Sequence, residues 1–133
     1  MNAQTRENLL AAMRGEAFAF AKYMLFAEHA RKSGRADLAD LFQRTANIER
    51  FEHFAEEAEL LGLVGTDAEN LRDAIAGESY EVETMYRQFA EQAAAHGDRE
   101  AAERFAEVRE DEMQHRDAFT AALERLSATV DAR

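Results

Sequence analysis

The chain has 133 residues, a length typical of a single domain, and its many alanine, leucine, glutamate and arginine residues, without any proline, favour helices. The absence of cysteine excludes disulfides, thiolate zinc sites and rubredoxin-type or iron–sulfur centres within this sequence, and the net charge of −11 argues against nucleic acid and anionic membranes as partners. No apolar run reaches the roughly 18 residues that span a bilayer, and the N-terminus lacks a signal-peptide pattern, so we expect a cytoplasmic protein.

Four helices are predicted from apolar residues at helical spacing between glycine-containing turns, at about residues 5–32, 36–61, 67–95 and 98–127. A glycine lies where each of the first three helices ends: Gly34, Gly62 and Gly97. Thr66 and Glu69 predict a capping box at the start of the third helix, and Thr5 is the expected cap of the first. The sequence therefore predicts an all-α protein.

The two halves of the sequence resemble each other. ENLLAAMRGEA (7–17) matches ENLRDAIAGES (69–79) at an offset of 62, and FAEHARKSGRADLADLF (26–42) matches FAEQAAAHGDREAAERF (89–105) at an offset of 63. The first helix pair is thus repeated as the second, and the third helix carries one extra residue between about 80 and 88. Such an insertion is usually absorbed as a π-bulge, and π-bulges are frequent at functional sites.

Four glutamates extend the apolar stripes of their helices and are predicted to point inward. Each lies about 11 to 14 residues after its helix starts, so in a bundle they would share one level of the core: Glu16, Glu49, Glu78 and Glu112. Buried carboxylates are costly unless they are paired or bound to metal. Because no inward lysine or arginine is evident, four ionised carboxylates at one level require cations.

The fourth helix also carries His115, three residues after Glu112, which places both side chains on one helix face. One glutamate from each of two helices, with Glu-x-x-His from each of the other two, is the ligand pattern of carboxylate di-iron bundles. Carboxylates neutralise two divalent cations, and imidazole adds a nitrogen donor suited to iron or manganese. We therefore predict a centre of two iron ions, with manganese or a mixed pair as the alternative.

Three motifs carry a resemblance to a known family: GE in the first helix, GESYE in the third and DEMQH in the fourth. They resemble the rubrerythrin branch of the ferritin-like superfamily, over about residues 5–127. The resemblance implies one ferritin-like four-helix domain spanning residues 1–133. It also implies a non-haem di-iron peroxidase that reduces hydrogen peroxide to water, with ferroxidase or other iron handling as the alternative function.

The resemblance also implies the site residues. The family's metal ligands correspond to Glu16, Glu49, Glu78, Glu81, Glu112 and His115. Tyr23 and Tyr86 match tyrosines that hydrogen-bond the ligand carboxylates, and we assign catalytic roles to these two tyrosines and to Glu81. Glu81 has no counterpart in the first half, where Ala19 stands. It lies near the inserted residue, so a π-bulge would aim it at the metal.

The second helix departs from the family's Glu-x-x-His pattern, because its histidine comes one residue late in the stretch NIERFEHF. Counted from Phe42, the expected histidine position is Glu52; counted back from the end of the helix, it is His53. A one-residue bulge between Glu49 and His53 would bring the imidazole to the site. We favour His53, and a regular helix would instead present Glu52.

The link between the second and third helices, at about 62–66, is short. A helix of about 26 residues is roughly 39 Å long, whereas five linker residues reach only about 17 Å. The chain therefore forms either a hairpin bundle or a bundle shared with a second chain. Given the resemblance, we predict a domain-swapped homodimer in which each bundle takes ligands from both subunits.

Electrons must come from another protein, on the same resemblance. Typical rubrerythrins carry a C-terminal rubredoxin domain with four cysteines, whereas this sequence ends at LSATVDAR without one. We therefore expect an external donor such as a rubredoxin-like protein.

Overall fold

The computed structural model describes residues 1–131, and four helices make up that range. Helix α1 is Ala3–Lys32; α2 runs from Ala36–Ile48 through a π-helical segment, Glu49–Phe54, into Ala55–Leu61. Helix α3 runs from Asp67–Tyr80 through a second π-helical segment, Glu81–Met85, into Tyr86–His96, and α4 is Arg99–Asp131. The predicted all-α class is confirmed, with no strand in the described residues. None of the helices in this range is long and apolar enough to cross a membrane.

The prediction that Thr5 caps α1 is wrong. Asn2 is the cap: its backbone is extended, and its side-chain oxygen accepts a hydrogen bond from the Gln4 amide at 2.8 Å. Asparagine is among the strongest N-caps, so the helix begins earlier and Thr5 lies inside it. Helix α4 also ends later than predicted, at Asp131. No glycine or proline follows residue 127 to stop it.

The turns follow the predicted chemistry. Gly34, Gly62 and Gly97 all adopt positive φ, the left-handed conformation that ends a helix. The capping box at the start of α3 is confirmed, because the Thr66 amide donates to Glu69 Oε2 at 2.8 Å and the Glu69 amide donates to Thr66 Oγ1 at 3.3 Å. The short segment between α2 and α3 is therefore tied directly to the helix that follows it.

The described chain divides into two compact units, one formed by Met1–Val64 and the other by the residues from Gly65 onward. Each unit is a helix pair, α1 with α2 and α3 with α4. The two pairs contain the same aromatic cluster at an offset of 63 residues: Tyr23, Phe26 and Phe42 in the first, and Tyr86, Phe89 and Phe105 in the second. The sequence repeat is thus a structural repeat, while a single domain spanning the chain stays a prediction.

The most deeply buried residues of the first pair are small. Ala27, Ala39 and Ala46 are fully buried. Several large apolar side chains stay exposed: Phe18 is 69% exposed and Phe51 is 63% exposed. No large side chain among the described residues is completely buried. One helix pair by itself therefore leaves much of its apolar surface in water, which is typical of a surface that packs against another.

Candidate metal centre

The first helix pair gathers Glu16 of α1 with Glu49 and His53 of α2. Their ligand atoms all lie within 4.8 Å of one another. His53 Nδ1 lies 2.8 Å from Glu49 Oε2 and 4.0 Å from Glu16 Oε2. The Glu49 side chain is only 14% exposed, whereas the imidazole of His53 is 52% exposed. The carboxylates are thus sheltered between the helices, and the imidazole stands at the open side.

The π-helical segment Glu49–Phe54 is what brings His53 to this group. Its hydrogen bonds span five residues instead of four, so the segment accommodates one extra residue. The side chains that follow are shifted by one position, and His53 instead of Glu52 joins Glu16 and Glu49. This is the bulge on which the choice between His53 and Glu52 depends. Glu52 is exposed and does not belong to the group, although its charge adds to those that raise the pKa of His53. The role of His53 as a ligand stays a prediction.

The second helix pair gathers Glu78 of α3 with Glu112 and His115 of α4, in nearly the same geometry. The three ligand atoms again lie within 4.8 Å of one another. His115 Nδ1 lies 2.7 Å from Glu112 Oε2 and 4.0 Å from Glu78 Oε1. Two groups of identical composition therefore occur at positions that the sequence repeat relates.

Both groups favour proton binding in the absence of a cation, because each contains a carboxyl and an imidazole with raised pKa values. Proton sharing with Glu49, followed by burial, raises the pKa of Glu16. Burial, followed by proton sharing with Glu112, raises the pKa of Glu78. The hydrogen bonds to Glu49 and Glu112 raise the pKa values of His53 and His115. A divalent cation that binds at either group would compete with protons for the same oxygen and nitrogen atoms.

The donor set fits a divalent metal ion. Each group offers two carboxylates and one imidazole, donors that suit iron and manganese. Glu78 Oε2 is buried without a hydrogen-bond partner among the described residues. A buried carboxylate oxygen left in this state is costly, and a bound cation would satisfy it.

Glu81 opens the second π-helical segment, Glu81–Met85, within the range where the repeat placed an inserted residue. The predicted bulge in α3 is therefore confirmed. Burial, followed by the charge of Glu112, raises the pKa of the Glu81 carboxyl. Glu81 thus lies close enough to Glu112 to respond to its charge, although it is outside the group of three.

An arginine that the sequence reasoning missed supports this bulge. The Tyr86 amide donates to the Glu81 carbonyl, five residues back, so the Val82 carbonyl loses its usual α-helical donor. Arg109 of α4 supplies a donor instead, with its Nε 2.7 Å from that oxygen. The sequence repeat could have drawn attention to Arg109, because the corresponding residue of the first half is the small, uncharged Ala46.

Tyr23 and Tyr86 occupy matching places in the two aromatic clusters. Tyr23 packs on Phe42 with ring centroids 6.1 Å apart, and Tyr86 packs on Phe105 at 6.2 Å. Burial, followed by the charge of Glu81, raises the pKa of the Tyr86 phenol, which therefore stays protonated. The hydrogen bonds from these tyrosines to ligand carboxylates stay predictions.

Glu57 is a second residue that the sequence reasoning missed. It lies on α2, one helical turn beyond His53, and its charge contributes to the raised pKa of Glu16. Its Oε2 is buried and has no hydrogen-bond partner among the described residues. The sequence offers little indication of a buried carboxylate here, because Glu57 lies in the acidic run AEEAE, which is typical of a solvent-exposed helix face.

The chain is similar to known proteins over most of its length. The family model described as Rubrerythrin matches residues 7–123. A rubrerythrin of Porphyromonas gingivalis is 36% identical, with 90% of this chain and 66% of the relative covered. Nigerythrin of Nitratidesulfovibrio vulgaris is 33% identical, with 96% and 69% covered. The chain thus spans about two thirds of the length of these relatives.

A solved structure of nigerythrin in a mixed-valence state aligns at a TM-score of 0.47 and 32% identity, covering 96% of this chain and 70% of that one. Another structure is of nigerythrin in its fully reduced, all-ferrous state, at 31% identity and the same TM-score. The family match and the sequence relatives carry the assignment by themselves. They also agree with the two carboxylate–imidazole groups. The chain belongs to the rubrerythrin family of ferritin-like di-iron proteins.

Proposed function

We propose that this chain is a non-haem di-iron peroxidase that reduces hydrogen peroxide to water with electrons from a separate redox protein. The observation that carries the proposal is the pair of matching groups, each with two carboxylates and one imidazole, at repeat-related positions of a rubrerythrin. A single group offers too few donors to surround a metal pair. Two groups together supply the four glutamates and two histidines of a carboxylate di-iron bundle.

The proposed ligands divide between the helix pairs. Glu16 and Glu49 of the first pair, and Glu78 and Glu112 of the second, would hold the two metal ions as carboxylate ligands. The remaining proposed ligands are His53, His115 and Glu81. Two ferrous ions held there would supply the two electrons that cleavage of the peroxide O–O bond consumes.

The protein's own contribution is to hold protons and limit water. Reduction of hydrogen peroxide to two water molecules takes up two protons along with two electrons. Burial raises the pKa of the Glu81 carboxyl and of the Tyr86 phenol, so both groups bind a proton more readily than they would in water. Val82, directly after Glu81, is only 3% exposed, so the backbone next to Glu81 is shielded from water. We assign Tyr86 to proton delivery and Tyr23 to the equivalent position of the first pair. Glu81 would take part in proton transfer only while its carboxyl is not bound to metal.

Electron supply falls to another centre, because these 133 residues contain no cysteine that could bind a rubredoxin-type iron. The net charge of −11 makes a donor with a basic docking face the best electrostatic fit. A small rubredoxin-like protein is the proposed donor class.

The proposal is tested by the oxidant preference of the reduced protein. Iron-loaded protein, reduced without oxygen and mixed with hydrogen peroxide or with dioxygen in a stopped-flow instrument, should oxidise at least about tenfold faster with peroxide. With a chemical reductant it should then consume peroxide over many turnovers. Faster oxidation by dioxygen, followed by build-up of ferric mineral, would instead assign the chain to ferroxidase chemistry and iron handling.

A homodimer by helix-pair exchange is also proposed. The apolar side chains that each helix pair leaves exposed, such as Phe18 and Phe51, would be covered by the partner's pair. Sedimentation should therefore give a mass of about 30 kDa, twice the 15.0 kDa of one chain. A single species at the monomer mass across micromolar concentrations would rule out the exchanged dimer, while leaving the metal ligands untouched.

A further inference from the structure

Only two buried side-chain oxygen or nitrogen atoms among the described residues have no hydrogen-bond partner, and both are carboxylate oxygens. One is Oε2 of Glu78, which belongs to the second group of proposed ligands. The other is Oε2 of Glu57, which belongs to neither group. Burying a carboxylate oxygen without a partner is strongly unfavourable, so each such atom requires a counterpart. For Glu78 the proposed counterpart is a metal ion, and the same question arises for Glu57.

Glu57 stands close to the first group of ligands. It follows His53 by four residues on α2, a spacing that places two side chains on the same face of a helix. It is half-buried, whereas its neighbour Glu56 is exposed. The imidazole of His53 in turn lies 2.8 Å from Glu49 and 4.0 Å from Glu16, measured from Nδ1 to the nearer carboxylate oxygen. Glu57 is therefore one helical turn from a side chain that contacts the ligands of both helices.

The repeat shows that this carboxylate is particular to the first half. Beyond the bulge in α2, residues of α2 correspond to residues of α4 at an offset of 62, which pairs His53 with His115. The same offset pairs Glu57 with Phe119. Phe119 lines an apolar groove between α3 and α4 with Leu71 and Ala74. A carboxylate in the first half thus replaces an aromatic ring that packs in the second.

The second half has the reverse difference. Glu81 adds a third carboxylate there, where the first half has Ala19. If Glu57 is counted, each half offers three carboxylates and one imidazole. The third carboxylate comes from α2 in the first half and from α3 in the second. The two halves then offer equal numbers of carboxylates and differ only in which helix provides the third one.

We infer that Glu57 is a further carboxylate of the metal centre and is the first half's equivalent of Glu81. The inference rests on the proposed di-iron function, since it assigns one more donor to that site. A bound cation satisfies the buried oxygen of Glu57 directly. A hydrogen bond from another helix could also satisfy it, but that role requires only an acceptor oxygen and not a negative charge.

Glu57→Gln separates these roles, because glutamine keeps an acceptor oxygen and removes the charge. Ferrous iron is titrated into metal-free protein under anaerobic conditions, in competition with a chelator of known affinity, and thermal unfolding of the metal-free protein is followed in parallel. We expect one of the two iron-binding steps to weaken by at least about tenfold, the lower range for groups that support a metal site. The Tm of the metal-free variant should equal or exceed that of the wild type, because a buried charge without a partner is gone.

Glu56→Gln is the matched control, since it removes the same charge from the adjacent, exposed position. It should leave both iron-binding steps unchanged. Glu57→Phe, which installs the residue found at the repeat position, should weaken iron binding as Glu57→Gln does while keeping the metal-free fold.

Two outcomes would overturn the inference. In the first, Glu57→Gln binds both iron ions as tightly as the wild type. In the second, Glu56→Gln weakens iron binding as much as Glu57→Gln does, which would assign the effect to the net charge of α2 and not to a carboxylate of the metal centre. A wild-type protein that binds no iron would contradict the proposed function itself, so failure of the two proposals can be told apart.

Discussion

Replacing His53 by alanine is expected to weaken iron binding by about 100-fold or more, whereas replacing the adjacent Glu52 is expected to leave it within about twofold of the wild type. His53 Nδ1 lies 2.8 Å from Glu49 and 4.0 Å from Glu16, inside the group that can share one cation. Glu52 is exposed and lies outside that group. Loss of a direct ligand costs more than loss of a residue that only supports one.

The two variants control each other. Both positions lie in the π-helical segment Glu49–Phe54, both are exposed, and both changes are to alanine. Iron per chain after anaerobic loading and desalting gives the comparison, and circular dichroism of the metal-free proteins checks that the helices are intact. Iron lost from Glu52→Ala but retained by His53→Ala would mean that α2 is regular in the metal-bound protein and presents Glu52.

Local sequence signals at the helix ends were enough to predict the helices of the fold. Glycine at 34, 62 and 97 set three helix ends, and the Thr66–Glu69 pair set one start, because these features act over a few residues. The N-terminal end of α1 was predicted wrongly because both Asn2 and Thr5 are suitable N-cap residues. Residue preference alone does not show which of the two has the backbone conformation of a cap. How the two helix pairs assemble depends on contacts far apart in sequence, which no local pattern encodes.

The site was predictable where the two halves agree. Glu16, Glu49, Glu78 and Glu112 occupy repeat-related positions, and the change of offset from 62 to 63 located the bulge before Tyr86. The bulge in α2 was ambiguous because the sequence aligns equally well on either side of it. Arg109 and Glu57 were missed for a different reason. Helical spacing shows which face a residue is on, but not whether a carbonyl or carboxylate there has a hydrogen-bond partner.

Arg109 leads to the second large effect, a loss of stability on replacing it by methionine. Methionine keeps an unbranched apolar stem but cannot donate to the Val82 carbonyl, which Arg109 Nε reaches at 2.7 Å. Val82 is only 3% exposed, so little water is available to replace the lost donor. Loss of a hydrogen bond from a charged donor to a sheltered acceptor costs about 2 kcal/mol of unfolding free energy. For a chain of this size the Tm should fall by roughly 5–10 °C.

Arg104→Met is the control for that experiment, because Arg104 lies on the same helix but is 73% exposed and pairs with Glu107 on the surface. Its loss should change the unfolding free energy by less than about 0.5 kcal/mol. Arg109→Lys, which restores a positive charge but not the planar guanidinium, should recover part of the stability.

Because the bulge that Arg109 supports begins at Glu81, the methionine variant should also alter the absorption spectrum of the iron-loaded protein. A loss of stability elsewhere in the chain would leave that spectrum unchanged. Equal Tm values for Arg109→Met and Arg104→Met would show that the bulge holds its shape without the arginine, and that Glu81 is positioned by the backbone of α3 alone.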